Sequence, residues 1–270
     1  MTDFSPFEQI EGAPERGLVI LGDHAMNRVP SEYGQLGLAE TAFQRHIAYD
    51  IGIEGLVRGL CARLKVPGVL GCFSRLLIDP NRGEDDPTLI MRISDGAIIP
   101  ANHPLSEDER NHRIATYYRP YHNAVSTTIK SVAEAGRRAP LVLSMHSFTP
   151  FWKDVARPWH AAVLWDSDPR AVVPLLDMMR QDKDLLIGDN EPYDGALVGD
   201  TMYRHCMTKG IAHALIEVRQ DLIADEAGIE AWADRLTPIF ERLNADPTLH
   251  DYKIYASRTG PYRKTVEHTQ

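Results

Sequence analysis

Two histidines follow apolar runs of the kind that form buried β-strands, a position from which a side chain can ligate a metal. His24 comes after the run at residues 17–21, and His146 ends the run at residues 141–145. Neutral imidazole is the commonest metal ligand in proteins. Taken alone, however, either residue fits the role of a structural, hydrogen-bonded histidine equally well. Two such histidines and one carboxylate would leave the open position that a catalytic zinc ion requires.

Asp50 is the candidate for that carboxylate. It lies within the segment 39–64, whose apolar residues repeat at helical spacing. The alternative is that Asp50 is a polar residue on the face of a helix.

Glu217 interrupts an apolar run at residues 214–218. A carboxylate in such a strand is costly to bury unless it is paired or functional. One interpretation is a salt bridge with Arg219, whose side chain would leave the same face of the strand because it lies two positions away. The other is a general base beside the metal, with a pKa that burial raises towards the range useful for proton transfer.

Three further polar residues, Arg75, Asn81 and Arg82, bracket the end of another predicted strand. Guanidinium groups bind carboxylates in a bidentate manner, which favours a role in recognising an anion. A solvated surface pair is the alternative. Among the remaining histidines, which we expect in the core or on the surface, His205 beside Arg204 is the most notable.

Other kinds of chemistry find little support in the sequence. It contains no GxSxG nucleophile motif, no GxGxxG after a strand and no GxxxxGK[ST] phosphate loop. The net charge of −9 argues against nucleic acid or an anionic membrane as a partner, whereas a small anion remains compatible with a locally basic pocket.

Composition indicates a globular protein, with 43% hydrophobic and 25% charged residues. The three cysteines match no zinc or redox motif, so buried free thiols in a reducing compartment are expected. The first residues lack the pattern of a secretory signal, and no apolar run approaches the length of a membrane helix. We therefore expect a cytoplasmic protein.

Predicted strands alternate with predicted helices along the chain, which indicates an α/β fold: one mixed sheet flanked by helices. In such folds ligands bind at the carboxyl ends of the strands, where all the candidate residues except Asp50 lie. The strands are expected at residues 17–21, 69–78, 140–145, 161–165, 185–187 and 211–218, and the helices at 39–64, 106–132, 168–179, 201–208 and 226–243. A long loop at 83–105 is expected to be functional, and a second loop, 189–199, leads to the helix at 201–208.

Four short motifs together resemble the N-formylglutamate amidohydrolase family: GDHAMN at 22–27, SRLLIDPNR at 74–82, SMHSF at 144–148 and LIEVRQDL at 215–222. The resemblance extends over residues 15–245, which we take as the core of a single catalytic domain spanning 1–270. This family is similar in fold to the zinc carboxypeptidases and aspartoacylases, so the resemblance implies a hydrolase-like, zinc-peptidase-like architecture.

The resemblance also implies roles. His24 and His146 match the zinc histidines, and Glu217 matches the catalytic glutamate. Asn81 and Arg82 match a pair that grips a substrate carboxylate, and Arg75 matches an arginine near the scissile carbonyl. The implied cofactor is one zinc ion per chain, and the implied partner is a small acidic N-acyl amino acid. N-formylglutamate would give formate and glutamate, in histidine degradation.

One position departs from the carboxypeptidase pattern, in which a glutamate three residues after the first histidine ligates zinc. Here that position is Asn27, a poor zinc ligand, and Asp50 is the substitute candidate. The alternatives are a related zinc carboxypeptidase, an N-acyl amino-acid deacylase, or a protein that binds a metal or ligand without catalysis. Loops 83–105 and 189–199 would decide between the enzymes.

Overall fold

The structure, a computed structural model, describes residues 4–260 and is built around a seven-stranded sheet. The strands of the chain are β1 (Phe7–Ile10), β2 (Leu18–Gly22), β3 (Gly68–Gly71), β4 (Ile93–Ser94), β5 (Ala97–Ile98), β6 (Leu141–Phe148), β7 (Phe151–Trp152), β8 (Val155–Ala156), β9 (Ala161–Leu164), β10 (Ile187–Asp189) and β11 (His213–Arg219). The sheet has the order β1-β3-β2-β6-β11-β9-β10, while β4-β5 and β7-β8 form two small hairpins.

Strand directions in the sheet are mixed. Strands β3, β2, β6 and β11 run parallel to one another, whereas β1 is antiparallel to β3 and β9 is antiparallel to β11. The predicted mixed α/β sheet is therefore confirmed. The parallel strands bring their carboxyl ends to the same edge.

Helices cover both faces of the sheet. Their bounds are α1 (Ile53–Leu64), α2 (Glu107–Arg113), α3 (Arg119–Gly136), α4 (Pro169–Met179), α5 (Thr201–His205) and α6 (Glu226–Asn244). Apolar side chains of α1, α4 and α6 form one buried cluster, and those of α3 and α5 belong to a second cluster on the opposite face. Strand β2 contributes Leu18 and Ile20 to the first cluster and Val19 and Leu21 to the second. Burial on both faces explains its continuous apolar sequence.

The strand predicted at 69–78 is wrong in extent, because β3 ends at Gly71. A Cβ atom on Gly71 would come within 2.1 Å of the carbonyl oxygen of Asp23. The close approach of these two backbone segments therefore requires glycine at position 71. The following residues turn instead of extending, and the Ser74 amide donates to the Arg28 carbonyl.

The helix predicted at 39–64 is also wrong in extent. A short 3-10 helix, Glu40–Gln44, comes first, and α1 begins only at Ile53. Asp50 lies in the turn between them, so its alternative placement on a helix face is wrong. Gly52, with φ of +84°, makes this turn possible before α1 begins.

The helix predicted from residue 106 is present with an irregularity. Ser106 accepts a hydrogen bond from the Glu109 amide at the start of α2, as predicted. A π-helical segment, Ile114–Tyr118, then connects α2 to α3. All three cysteines are buried and unpaired. Among residues 4–260, no helix is long and apolar enough to span a bilayer.

Candidate active site

The carboxyl ends of three neighbouring parallel strands bring the predicted residues together. His24 follows the end of β2, His146 lies near the end of β6, and Glu217 lies near the end of β11. His146 and Glu217 are direct register partners, so their side chains leave the same face of the sheet side by side. The Asp50 amide donates to the His24 carbonyl at 2.9 Å, which fixes the turn before α1 against the same edge.

His24, Asp50 and His146 form a buried cluster whose potential ligand atoms all lie within 4.8 Å of one another. Asp50 Oδ2 is 2.9 Å from His146 Nδ1 and 3.4 Å from His24 Nδ1. One nitrogen of each ring thus faces the same carboxylate oxygen. Two imidazoles and a carboxylate are a donor set that suits zinc, so these residues fit the implied metal.

The other nitrogen of each histidine is bonded to a second carboxylate. His24 Nε2 lies 2.7 Å from Asp79 Oδ1, and His146 Nε2 lies 3.0 Å from Asp23 Oδ2. Such carboxylate–histidine pairs fix the ring orientation and tautomer of metal ligands. Sequence reasoning missed the roles of Asp23 and Asp79. Their positions beside His24 and in the turn before Asn81 were the signals available.

Asp23 is completely buried and accepts three further hydrogen bonds. The donors are Tyr121 Oη at 2.6 Å, Thr201 Oγ1 at 2.8 Å and Ser144 Oγ at 3.0 Å. Burial alone would raise the pKa of Asp23, but the hydrogen bond and charge of His146 hold that pKa below its usual range. The carboxylate therefore stays ionised in the interior.

The field at His146 favours a positive charge. Burial lowers the pKa of its imidazole, yet hydrogen bonds to Asp23 and Asp50 raise that pKa well above its ordinary value overall. Negative groups on both sides of the ring attract either a proton or a metal cation to the Nδ1 side. This electrostatic environment is a second observation that fits a metal at the cluster.

Replacing Asp23 with asparagine should weaken metal binding by about 10–100-fold, the usual effect of losing such a partner. The amide cannot accept from His146 with the strength of a carboxylate, so the tautomer and orientation of the ring are less well fixed. Metal titration monitored by calorimetry measures this effect. Tyr121→Phe is the control, because it removes one donor to Asp23 Oδ1 and leaves the bond between Asp23 Oδ2 and His146. Equal affinities for wild type and Asp23→Asn would contradict the assigned role.

Glu217 takes part in no ion pair among the described residues. Its side chain is buried, and Oε2 has no hydrogen-bond partner among residues 4–260. Arg219 instead pairs with Asp221 at 2.8 Å and donates to the carbonyls of Arg157 and Trp159, so the alternative interpretation, a Glu217–Arg219 salt bridge, is wrong. An unsatisfied buried polar group costs about 1–3 kcal/mol. Burial, assisted by the charge of Asp50, raises the pKa of Glu217 to about 7.

Arg75 is fixed by two carboxylates that also belong to the cluster. Its Nη2 lies 2.8 Å from Asp79 Oδ2, and its Nη1 lies 3.4 Å from Asp50 Oδ1. The guanidinium group therefore lies next to the candidate metal position. Its interpretation as a solvated surface residue is wrong, because only 19% of the side chain is exposed.

Asn81 and Arg82 lie in the turn that follows Asp79. Asn81 is buried, and its Oδ1 accepts a hydrogen bond from the Thr201 amide at 3.0 Å. Arg82 donates from Nη1 to the Asn81 carbonyl at 2.9 Å, and none of the ion pairs formed within residues 4–260 includes Arg82. Its charge is thus available for an anion.

All of the predicted site residues line one cavity of about 470 Å³. His24, Asp50, Arg75, Asn81, Arg82, His146 and Glu217 share its wall with His46, Ser147, Phe148, Thr149, Leu164, Asp200 and Leu215. Loop 189–199 contributes Tyr193, Asp194, Gly195, Ala196 and Leu197. Loop 83–105 contributes no residue to the described lining, so only the second of the two predicted loops shapes the cavity.

Fold and cavity together define an α/β protein with a candidate hydrolytic centre. In it, two histidines and a carboxylate lie beside a buried glutamate whose Oε2 has no partner among residues 4–260. The model of the N-formylglutamate amidohydrolase family matches residues 16–224, and the chain belongs to that family. It is accordingly a hydrolase that acts on amide bonds and takes a small amide substrate.

Solved structures share this fold. The chain is similar to a gene product of Agrobacterium tumefaciens, with 29% identity, a TM-score of 0.82, and coverage of 89% of this chain and 95% of that one. It also resembles in fold the N-formylglutamate amidohydrolase of Ralstonia eutropha, with 22% identity, a TM-score of 0.65, and coverage of 89% and 97%. A search of curated proteins found no match.

Proposed function

We propose that this protein is a zinc-dependent amidohydrolase that removes the N-formyl group of an acidic amino acid such as N-formyl-L-glutamate. The products are formate and glutamate. The observation that carries the proposal is the buried His24–Asp50–His146 cluster, which lies in one cavity with Glu217, whose Oε2 has no partner among the described residues. Membership of the N-formylglutamate amidohydrolase family supports the substrate class.

His24, Asp50 and His146 hold the metal in this proposal. A bound zinc ion would supply a Lewis acid that polarises the substrate carbonyl and lowers the pKa of a water molecule to near 7. Asp79 and Asp23 orient the two imidazoles through Nε2, so that Nδ1 of each ring, which faces Asp50, is the nitrogen that would bind the metal.

Glu217 moves the proton. Its carboxylate accepts a proton from the attacking water and then delivers that proton to the leaving amine nitrogen. The raised pKa, about 7, suits both transfers, because the group can lose and regain a proton near neutral pH. A protein that only binds a metal or ligand has no need of such a group, so the unpaired glutamate favours catalysis over sensing.

Arg75 and the Asn81–Arg82 pair orient the substrate. The guanidinium of Arg75, held by Asp79 and Asp50, stabilises negative charge that develops on the substrate oxygen. Arg82 pairs with a substrate carboxylate. Asn81 uses its Oδ1 for the Thr201 amide, so its Nδ2 group is the one that donates to the carboxylate.

An N-acyl amino-acid deacylase is the second candidate, and the apolar part of the cavity wall favours it. Phe148, Leu164, Leu197 and Leu215 provide more apolar surface than a formyl group contacts. We further propose a cytoplasmic enzyme, since the three buried free cysteines suit a reducing compartment. The family resemblance supports a role in histidine degradation.

The test is turnover of the zinc-loaded protein on N-formyl-, N-acetyl- and N-butyryl-L-glutamate and on the uncharged diamide of N-formylglutamate. Formyl preference supports the first candidate, and butyryl preference supports the deacylase. Arg82→Ala should raise KM for the charged substrates by the equivalent of about 1.5–3 kcal/mol, the value of a charged hydrogen bond. The diamide should be much less affected.

Arg235→Ala is the control for this substitution. Arg235 is also partly exposed, but it pairs with Asp182 and lies on α6, away from the cavity. Equal losses on the charged substrates and the diamide would show that Arg82 does not contact a carboxylate. Absence of turnover on every N-acyl compound would contradict the proposed function.

A further inference from the structure

Two backbone carbonyls of the turn at residues 80–82, which carries Asn81 and Arg82, are held by side chains one helical turn apart. Tyr118 Oη donates to the Arg82 carbonyl at 2.6 Å. His122, on α3, places its Nε2 3.0 Å from the Pro80 carbonyl. Both side chains are buried. The backbone on each side of Asn81 is therefore fixed to the same helical region.

Short helix α5 supports these side chains from behind. Arg204 Nη2 donates to Tyr118 Oη at 2.7 Å, and His205 Nε2 lies 2.9 Å from His122 Nδ1. The same helix begins at Thr201, whose amide donates to Asn81 Oδ1. Each residue of the turn 80–82 is thus held directly or indirectly by α5.

The chemistry of the Pro80 carbonyl fixes the protons on both histidines. A carbonyl oxygen can only accept, so His122 Nε2 must carry the hydrogen. His122 Nδ1 is then an acceptor, and His205 Nε2 must donate to it. His205 Nδ1 is left without a proton, and it is buried with no partner within the described chain.

Burial keeps both rings in this neutral state. It lowers the pKa of His205 to about 3 and that of His122 well below its usual value. The rings stack with centroids 5.2 Å apart. Leaving a buried acceptor unpaired destabilises the fold, so an apolar pair would pack here at lower cost. What the two histidines add over apolar side chains is a directed hydrogen bond to Pro80.

We propose that His122 and His205 are positioning residues whose hydrogen-bonded pair fixes the Pro80 carbonyl, and with it the backbone from which Asn81 and Arg82 grip the substrate carboxylate. This inference rests on the proposed function for the role of Arg82. Within residues 4–260, the side chain of Arg82 bonds only to the neighbouring Asn81 carbonyl, so its direction depends on the backbone. Asp79 has its own bonds to His24 and Arg75, so metal binding is expected to survive loss of the pair.

The kinetic experiment compares His122→Leu, His122→Gln and a control, His250→Leu. His250 is a buried histidine that also contacts backbone carbonyls, those of Ala139 and Asn244, outside the cavity lining. His122→Leu should raise KM for N-formylglutamate by about tenfold, the effect of one lost hydrogen bond. Zinc content and kcat should stay near wild type.

The conservative variant separates positioning from packing. Glutamine at position 122 can donate from Nε2 and accept at Oε1, so it should recover part of the KM. His250→Leu should lower the melting temperature without changing KM. A lowered melting temperature with unchanged KM in His122→Leu would overturn the inference, as would equal KM values for the leucine and glutamine variants.

Two measurements do not require turnover. They therefore test the positioning role of His122 and His205 even if the proposed function is wrong. Hydrogen exchange of the Asn81 and Thr201 amides, which are bonded to Asp79 Oδ1 and Asn81 Oδ1, should be faster in His122→Leu than in His250→Leu. Unchanged exchange would overturn the inference. Nitrogen NMR of the wild type should show both rings neutral with the proton on Nε2, and a proton on Nδ1 of either ring would also overturn it.

Discussion

Replacing Glu217 with glutamine should lower kcat by about 10²–10⁴-fold, the usual contribution of a positioned acid–base group. Glutamine keeps the shape of the side chain but cannot take a proton from water or return it to the leaving amine. Zinc content and KM should stay near the wild-type values, since Glu217 is outside the His24–Asp50–His146 cluster. Steady-state kinetics and metal analysis on the same preparation measure both effects.

Stability gives this variant a second, independent readout. The Glu217 carboxylate is buried, and its Oε2 has no partner within residues 4–260, so the neutral amide should not destabilise the protein. Asp168→Asn is the matched control, because Asp168 is a buried carboxylate that pairs with Arg170 at 2.6 Å. It should lower the melting temperature and leave kcat unchanged. Near-normal kcat in Glu217→Gln would defeat the catalytic assignment.

Removing either histidine of the cluster should abolish stoichiometric zinc binding. His24→Ala and His146→Ala each remove one of three ligands, and the remaining pair cannot complete a tetrahedral site. Asp50→Asn should weaken binding sharply, since it removes the carboxylate that both Nδ1 atoms face. Metal analysis after dialysis against zinc measures the content of each variant, and circular dichroism establishes that each is folded.

The melting temperature measured with and without zinc tests the same prediction through the stability of the folded protein. A ligand that binds only the folded state stabilises it by about 2.7 kcal/mol at 100 times its Kd. Zinc should therefore raise the melting temperature of the wild type but not that of His146→Ala. His213→Ala is the control, because this buried histidine on β11 bonds to the Ile211 carbonyl outside the cluster. Binding of one zinc ion per chain by both His24→Ala and His146→Ala would contradict the proposed metal site.

The sequence alone identified the parts of the site that local pattern encodes. Apolar runs mark buried strands, and the polar residue that ends each run must lie at the carboxyl edge of the sheet. His24, His146 and Glu217 were identified in this way, and the cavity contains all three. The alternation of strands and helices likewise determined the α/β class, because hydrophobic period and turn residues are properties of neighbouring positions.

The turns between elements were less predictable. Strand β3 was expected to extend to residue 78 and ends at Gly71, and the segment 39–64 was expected to be one helix. Apolar spacing continues through both turns because their side chains are also buried in the core, among them Ile47, Leu76 and Ile78. A buried turn therefore shows the same spacing of apolar residues as a buried strand or helix. For this reason the end of β3 and the start of α1 depend on tertiary contacts that the sequence pattern does not contain.

Only the tertiary structure decided which partners the site residues have. His24 bonds to Asp79 across 55 positions, His146 bonds to Asp23 across 123, and His122 bonds to His205 across 83. Arg219 is the nearest charge to Glu217 along its strand, yet it pairs with Asp221, and Glu217 Oε2 has no partner within residues 4–260. Strand pairing and helix packing set these contacts, and residue types in one sequence do not specify which distant side chains meet. The sequence therefore determined which residues could do chemistry, whereas the fold determined which carboxylates hold the histidines and which carboxylate has an oxygen without a partner among the described residues.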